Sequence, residues 1–221
     1  MENIILIPAY NPPSTFFELI KKIQNSCILK IIIVDDGSYP IINIKVNKNI
    51  ILMRNKTNKG KGYSLLKGFK YCKENNYNYC ITIDADSQHD PFYINQFINS
   101  EKNYSLVLGK RKFSQDMPIH RRASNLITSK IISFLSNSKI NDSQCGFRRY
   151  NVSHVLDYNY NEFGFQFETE VLIKLLKNKY LFKEINIPTI YNEEKSFINN
   201  IADTYKFIRL ILRILLKNNY I

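Results

Sequence analysis

Short apolar runs and longer stretches of helical periodicity take turns along the first half of this chain, and that alternation constrains its fold more than any other feature. Residues 3–8, 30–34, 49–53, 79–83 and 104–108 are brief, rich in Ile, Val and Tyr, and bounded by Asn, Asp, Gly or Pro, so they read as strands. Between them, 13–25, 62–74 and 91–99 place apolar residues at helical spacing, and Pro13 suits a first helical turn. This order predicts an α/β fold, a mostly parallel sheet covered by helices. The second half is less regular. Helices are expected over 119–135, 167–178 and 201–217, and strands over 146–150 and 182–187. The chain has 221 residues, is 44% hydrophobic and contains no Pro/Gly/Ser-rich linker, which predicts one domain over 1–200 with a helix at 201–221 attached to it.

Ligands on such sheets bind beyond the carboxyl ends of the strands. Pro8-Ala9-Tyr10-Asn11, Asp35-Asp36-Gly37-Ser38 and Asp84-Ala85-Asp86 each follow a strand, so all three are expected on one rim. Asp84 and Asp86 lie two residues apart on extended backbone and point to the same side, where both can face one divalent cation. Taken alone, an Asp-x-Asp after a strand is better explained as a turn former. Its company decides the reading.

The net charge of +12 calls for an anionic partner or surface, although Lys/Asn/Ile-rich stretches such as 45–49 contribute to it as a compositional habit. No helix-turn-helix, RNP-like strand or Cys/His module supports nucleic acid as that partner. Cys27, Cys72, Cys80 and Cys145 form no Cys-x-x-Cys pair and read as thiols rather than a zinc site or disulfide framework. No run of 18 uncharged apolar residues occurs and Met1-Glu2-Asn3-Ile4 lacks a basic secretory head, so a cytoplasmic protein is expected. Gly60-Lys61-Gly62 fits neither phosphate-loop glycine pattern, because Leu65 occupies the last glycine position. His89, just before Asp90-Pro91, reads as shaping a turn rather than as a ligand.

Ile7-Pro8-Ala9-Tyr10-Asn11, Ile33-Val34-Asp35-Asp36-Gly37-Ser38, Asn58-Lys59-Gly60-Lys61-Gly62 and Asp84-Ala85-Asp86-Ser87-Gln88-His89 stand in an order and spacing that resembles family 2 glycosyltransferases of the GT-A fold, most closely the polyprenyl- or dolichyl-phosphate sugar synthases. The likeness continues through Gly109-Lys110-Arg111, Asp142-Ser143-Gln144-Cys145-Gly146-Phe147 and residues 167–196. The resemblance implies that Pro8 and Tyr10 line a nucleotide base pocket and that Asp36 holds base or ribose of a nucleotide-diphospho-sugar. It further implies that Asp84 with Ala85 contacts the nucleotide, that Asp86 and Gln88 bind Mg2+ or Mn2+, and that Lys59 or Lys61 neutralises donor phosphates while Lys195 closes over the diphosphate. The ion would neutralise the leaving diphosphate.

On the acceptor side, the lipid-phosphate branch of the family grips its substrate with arginines in two loops, and the matching positions are Arg111 and Arg121, with Arg122 beside it. A guanidinium pairs with two phosphate oxygens at once. A cation at a helix start is unfavourable, which favours a functional reading of Arg121 over a solvated charge. A phosphate acceptor is already ionised, whereas a sugar hydroxyl must lose a proton, so only the latter requires a base. Asp142, Glu168 and Glu170 are the carboxylates available, with at most one of the two glutamates expected in the cleft. Asp142 is the preferred polar contact to sugar or acceptor.

The family's frequent Glu after Asn11 is Pro12 here, and residues 192–196 retain one lysine and carry two acids. The Gln-x-x-Arg-Trp motif of processive synthases is missing and the chain has no Trp, so transfer of a single sugar is expected. The expected activity is therefore an inverting, metal-dependent glycosyl transfer to polyprenyl phosphate. Transfer to a saccharide hydroxyl in glycan synthesis and, more distantly, nucleotidyl transfer stay open; a non-catalytic basic binding protein is opposed by the ordered acidic motifs. On a helical wheel, Lys206, Arg209, Arg213 and Lys217 fall within roughly an 80° arc, and Ile201, Tyr205, Ile208, Leu212 and Leu215 cluster on another face. That helix either packs on the domain or lies on an anionic membrane at its cytoplasmic face.

Overall fold

The computed structural model describes residues 2–112, 119–188, 190 and 200–216. A seven-stranded sheet is built from β1 (Asn3–Ala9), β2 (Ile31–Asp35), β3 (Ile50–Arg54), β4 (Tyr79–Thr82), β5 (Leu106–Arg111), β6 (Arg148–Asn151) and β7 (Phe182–Ile187), in the order β3-β2-β1-β4-β6-β5-β7. Helices α1 (Phe16–Ser26), α2 (Lys61–Glu74), α3 (Ile94–Ile98), α4 (Ile119–Ser136), α5 (Val152–Leu156), α6 (Gln166–Lys177) and α7 (Asn200–Leu216) accompany it.

Alternation along the central strands divides the core in two. Ile4 and Leu6 of β1 face one cluster with α2, α6 and α7, whereas Ile5 and Ile7 face the other with α1 and α3. Burial on both faces explains why these strands read as unbroken apolar runs. Gly68 lets α2 lie close on the sheet, since a Cβ there would collide with Leu6.

The pairing is parallel except at β6, which runs antiparallel to both β4 and β5. That reversal matters for position: β6 begins at the edge where β4 and β5 end, so the loop 142–147 joins the same rim. β5 reaches further than the apolar run predicts, because Lys110 and Arg111 continue the ladder opposite Asn186 and Ile187 of β7. Pro13 starts the turn before α1 rather than the helix itself, its carbonyl accepting from Phe16 N–H at 3.0 Å. The stretch 91–99 divides into a 3₁₀ turn, Pro91–Tyr93, and α3.

Helix α7 docks on α6 through buried Leu210 and Ile214. Arg209 and Arg213 reach the buried Glu162 at 3.2 and 3.1 Å, so two members of the basic arc turn toward the domain. The apolar cluster of the helical wheel turns outward: Tyr205, Ile208, Leu212 and Leu215 are all exposed. Lys217 lies outside the described residues.

Candidate active site

The strand-end motifs do meet on one rim, tied together by hydrogen bonds between loops. Asn11, at φ 43, donates its N–H to Ser38 Oγ at 2.9 Å and accepts from Tyr39 N–H at 2.8 Å. Buried Asp35 pairs with Arg54 and accepts from Ser38 N–H at 2.8 Å. Asp36, also buried, accepts from the amides of Lys59 and Gly60 at 3.0 and 2.8 Å and from Asn55 Nδ2 at 2.7 Å. Its carboxylate thus fixes the loop ahead of α2. Gly60 is suited to that loop because its φ is +99° and a Cβ would abut the Phe163 carbonyl. Pro8 is half-buried and Tyr10 exposed at the edge of this group, with the Lys59 side chain in solvent.

Asp84 and Asp86 lead different lives. Lys61, in the first turn of α2, places its Nζ 2.7 Å from Asp84 Oδ1 and 2.6 Å from Glu168 Oε2. Burial raises the Asp84 carboxyl, but the Lys61 ammonium and other nearby cations more than offset it and hold the group below its ordinary value. A Cβ on Gly146 would collide with this carboxylate, so the absence of a side chain there makes room for it. Asp86 accepts from Gln88 N–H at 3.0 Å, the local turn bond that a bare Asp-x-Asp predicts. Ser87, at φ 60, contacts Thr15 Oγ1 at 3.2 Å and ties this turn to the start of α1. Ala85 packs against the core beneath.

His89 is buried, with its ring centroid 5.6 Å from that of Phe147, and burial lowers its pKa to about 4. A neutral imidazole wedged under the loop is consistent with a turn-shaping part.

The second group centres on Asp142, which is 1% exposed. Arg111 donates from Nε to Oδ2 at 2.7 Å, from Nη2 to Oδ1 at 3.0 Å, and from its backbone N–H to Oδ2 at 3.1 Å. Asn125 of α4 adds a fourth bond, to Oδ1 at 2.7 Å, and Gln144 N–H a fifth at 3.2 Å. Burial acts to raise this carboxyl, yet the Arg111 bonds prevail and keep it below its ordinary value. Asp142 therefore orients Arg111 at the end of β5. Arg121 is half-buried in the first turn of α4.

Of the two glutamates, Glu168 stands beside Lys61 and Asp84, while Glu170 is fully buried and accepts from the amides of Asn161 and Glu162. Arg148 escaped the sequence reading, since a charged residue in an apolar run signals an exposed strand face. It is buried at 1% exposure and donates to the carbonyls of Ser143, Cys145 and Glu168 at 2.8, 2.6 and 3.1 Å, which shapes the loop 142–147. Lys195 lies outside the described residues.

The sequence profile described as Glycosyl transferase family 2 matches residues 4–158. UDP-N-acetylglucosamine–dolichyl-phosphate N-acetylglucosaminyltransferase of Methanococcus voltae is 32% identical over 217 residues, covering 86% of each chain. Undecaprenyl-phosphate 4-deoxy-4-formamido-L-arabinose transferase of an Enterobacter strain is 27% identical over 220 residues, covering 94% of this chain and 63% of that longer protein. Among solved structures, glucosyl-3-phosphoglycerate synthase from Mycobacterium tuberculosis in complex with Mn2+ and UDP-glucose superimposes with a TM-score of 0.73 at 13% identity, over 96% of this chain and 78% of that one. The chain belongs to glycosyl transferase family 2 and is a glycosyltransferase with a single-domain GT-A fold.

Proposed function

We propose that this enzyme transfers one sugar, with inversion, from a nucleotide-diphospho-sugar to a polyprenyl phosphate. One observation carries the choice of acceptor. Each carboxylate considered as a base is already engaged: Asp142 by Arg111, Glu168 by Lys61, and Glu170 by loop amides. A hydroxyl acceptor needs a base, whereas a phosphate monoester is ionised near neutral pH and needs orientation and positive charge. Arg111, braced from behind by Asp142, supplies both, and the names of the relatives from Methanococcus and Enterobacter point to the same acceptor class.

On the donor side, the nucleotide lies over Pro8 and Tyr10, within the loops fixed by Asp36, and Asp84 faces it with its charge set by Lys61. The side-chain oxygens of Asp86 and Gln88, two residues apart on one turn, are of the type that suits Mg2+ or Mn2+, and the described residues contain no cluster of three or more His, Cys, Asp or Glu side chains that could hold a metal by itself. The sparse set fits an ion completed by donor phosphates and water. Held there, such an ion would neutralise the departing diphosphate. Lys59 and Lys195 add charge at the phosphates, and Arg121 adds it at the acceptor. The outward apolar side of α7 brings the enzyme to the surface where a polyprenyl phosphate resides; no helix among the described residues is long and apolar enough to cross a membrane.

The test is a panel of UDP-, GDP- and dTDP-sugars with Mn2+ and a short-chain polyprenyl phosphate. Release of nucleoside diphosphate that depends on the lipid phosphate is expected. Turnover with saccharide acceptors alone, or release of pyrophosphate, contradicts the proposal.

A further inference from the structure

Two glycines flank Lys61, and one neighbouring segment explains both. A Cβ on Gly60 would lie 2.5 Å from the Phe163 carbonyl oxygen, and one on Gly62 would meet Phe167 Cβ at 2.3 Å and the Gly164 carbonyl oxygen at 2.9 Å. Their lack of side chains lets the segment that leads into α6 lie directly on the first turn of α2. That contact is also a cap. A helix start leaves amides without partners inside the helix, and Gly60 has no side chain to meet them. The Phe163 carbonyl takes that part, accepting from Tyr63 N–H at 3.0 Å, with the Tyr63 and Phe163 rings 6.3 Å apart beside it.

The residue that seats this carbonyl is its predecessor. Glu162 is 3% exposed, and among the described residues both cations that meet its carboxylate belong to α7: Arg209 Nη2 donates to Oε1 and Oε2 at 3.2 Å each, and Arg213 Nη1 donates to Oε1 at 3.1 Å. Its backbone N–H is taken up separately by Glu170, at 2.9 Å. Glu162 is thus gripped by α6 through the main chain and by α7 through the side chain. Arg209 and Arg213 stand one helical turn apart, so both reach a single carboxylate while α7 lies docked. A carboxylate this buried is costly without its partners, which makes the clasp stronger than a surface ion pair. From α7 the contacts run through Glu162, the Phe163 carbonyl and the Tyr63 amide to the turn that carries Lys61, whose Nζ stands 2.7 Å from Asp84 and 2.6 Å from Glu168.

We propose that Glu162 is a positioning residue of the donor side: clasped by Arg209 and Arg213, it seats the carbonyl that caps α2 and so holds Lys61 against Asp84. Docking of α7 and readiness of the nucleotide site are then coupled, although α7 itself packs on α6. That role rests on the donor-side reading of Asp84 and Lys61, and its first readout needs no substrate.

In the full-length protein, Glu162→Gln should speed deuterium exchange at the Tyr63 amide by about tenfold while the amides of α1 keep their rates. Its donor KM should rise about fivefold, with kcat and the acceptor KM within about twofold, a split that general loosening of the fold does not give. Arg209→Gln combined with Arg213→Gln should produce the same two shifts, and adding Glu162→Gln to that pair should change them no further. Lys206→Gln, on the same helix but 3.7 Å from Asp203, should produce neither. Unchanged exchange at Tyr63 in Glu162→Gln overturns the clasp, and faster exchange with an unchanged donor KM overturns its positioning role. Shifts of the arginine pair that add to those of Glu162→Gln also overturn it, because the two sides then act separately. A donor KM indifferent to Lys61→Gln contradicts the donor-side reading itself, and with it the role given to Glu162, whatever the Tyr63 amide does.

Discussion

Helices α1 and α4 are both amphipathic and both lie against the protein body, yet they present opposite faces to it. Helix α1 buries Phe16, Leu19, Ile20 and Ile23 and leaves Glu18, Lys21 and Lys22 in water. Helix α4 buries Asn125, Ser129 and Ser136 and exposes Phe134 and Ile127. In α1 the interior contacts are adhesive, and many apolar residues of similar volume would serve. In α4 the contacts of Asn125 and Ser129 form a polar network that ends on Arg111, where a lost partner leaves an unsatisfied group. The contrast separates residues that hold the fold from residues that hold the site.

The comparison is broken most severely at Asp142. Asp142→Ala strands the Arg111 guanidinium and should cost about 4 kcal/mol in urea denaturation. The effect depends on pH in a defined direction. Because the folded-state pKa of Asp142 lies below the ordinary 3.8, its contribution is complete above that pH and is lost as the pH falls through the lower folded value. The stability gap between wild type and Asp142→Asn should therefore close on acidification. Leu19→Ala in α1 should cost about 3 kcal/mol through its cavity while leaving the KM for either substrate unchanged. Asn125→Ala in α4 should cost less, about 2 kcal/mol, but raise the acceptor KM more than the donor KM. Phe134→Ser should change stability by no more than about 0.5 kcal/mol, since nothing in the fold relies on that side chain.

Much of the first half was legible because its strands are buried on both faces and end in Asp, Asn or Pro, so composition and position carry the same message. The rim followed from topology: Pro8, Asp36 and Asp84 had to share an edge once the strands were parallel. Contacts between distant segments were not legible. Lys61, Asp84 and Glu168 share two ion pairs across three separate elements, and only β6 running backward brings Asp142 and Gly146 to that edge. Periodicity also located the apolar stripe of α7 but not its direction. Tyr205 and Ile208 look like core residues until Leu210 and Ile214 are seen filling that place. The buried Arg148 and Arg149 illustrate the same limit, because their carbonyl partners lie in distant loops and helix ends that no local pattern specifies.

The most direct test of a lipid-phosphate acceptor held by Arg111 is the pair of KM values in Arg111→Lys, measured with polyprenyl phosphate and nucleotide-sugar varied in turn. Lysine keeps the charge but loses the fork that grips Asp142 through two nitrogens and, in the proposed complex, would turn its remaining N–H groups to the acceptor phosphate. The acceptor KM should rise by about tenfold or more while the donor KM stays within about twofold. An equal rise in both, or a rise confined to the donor, would contradict the assignment of Arg111 to the acceptor.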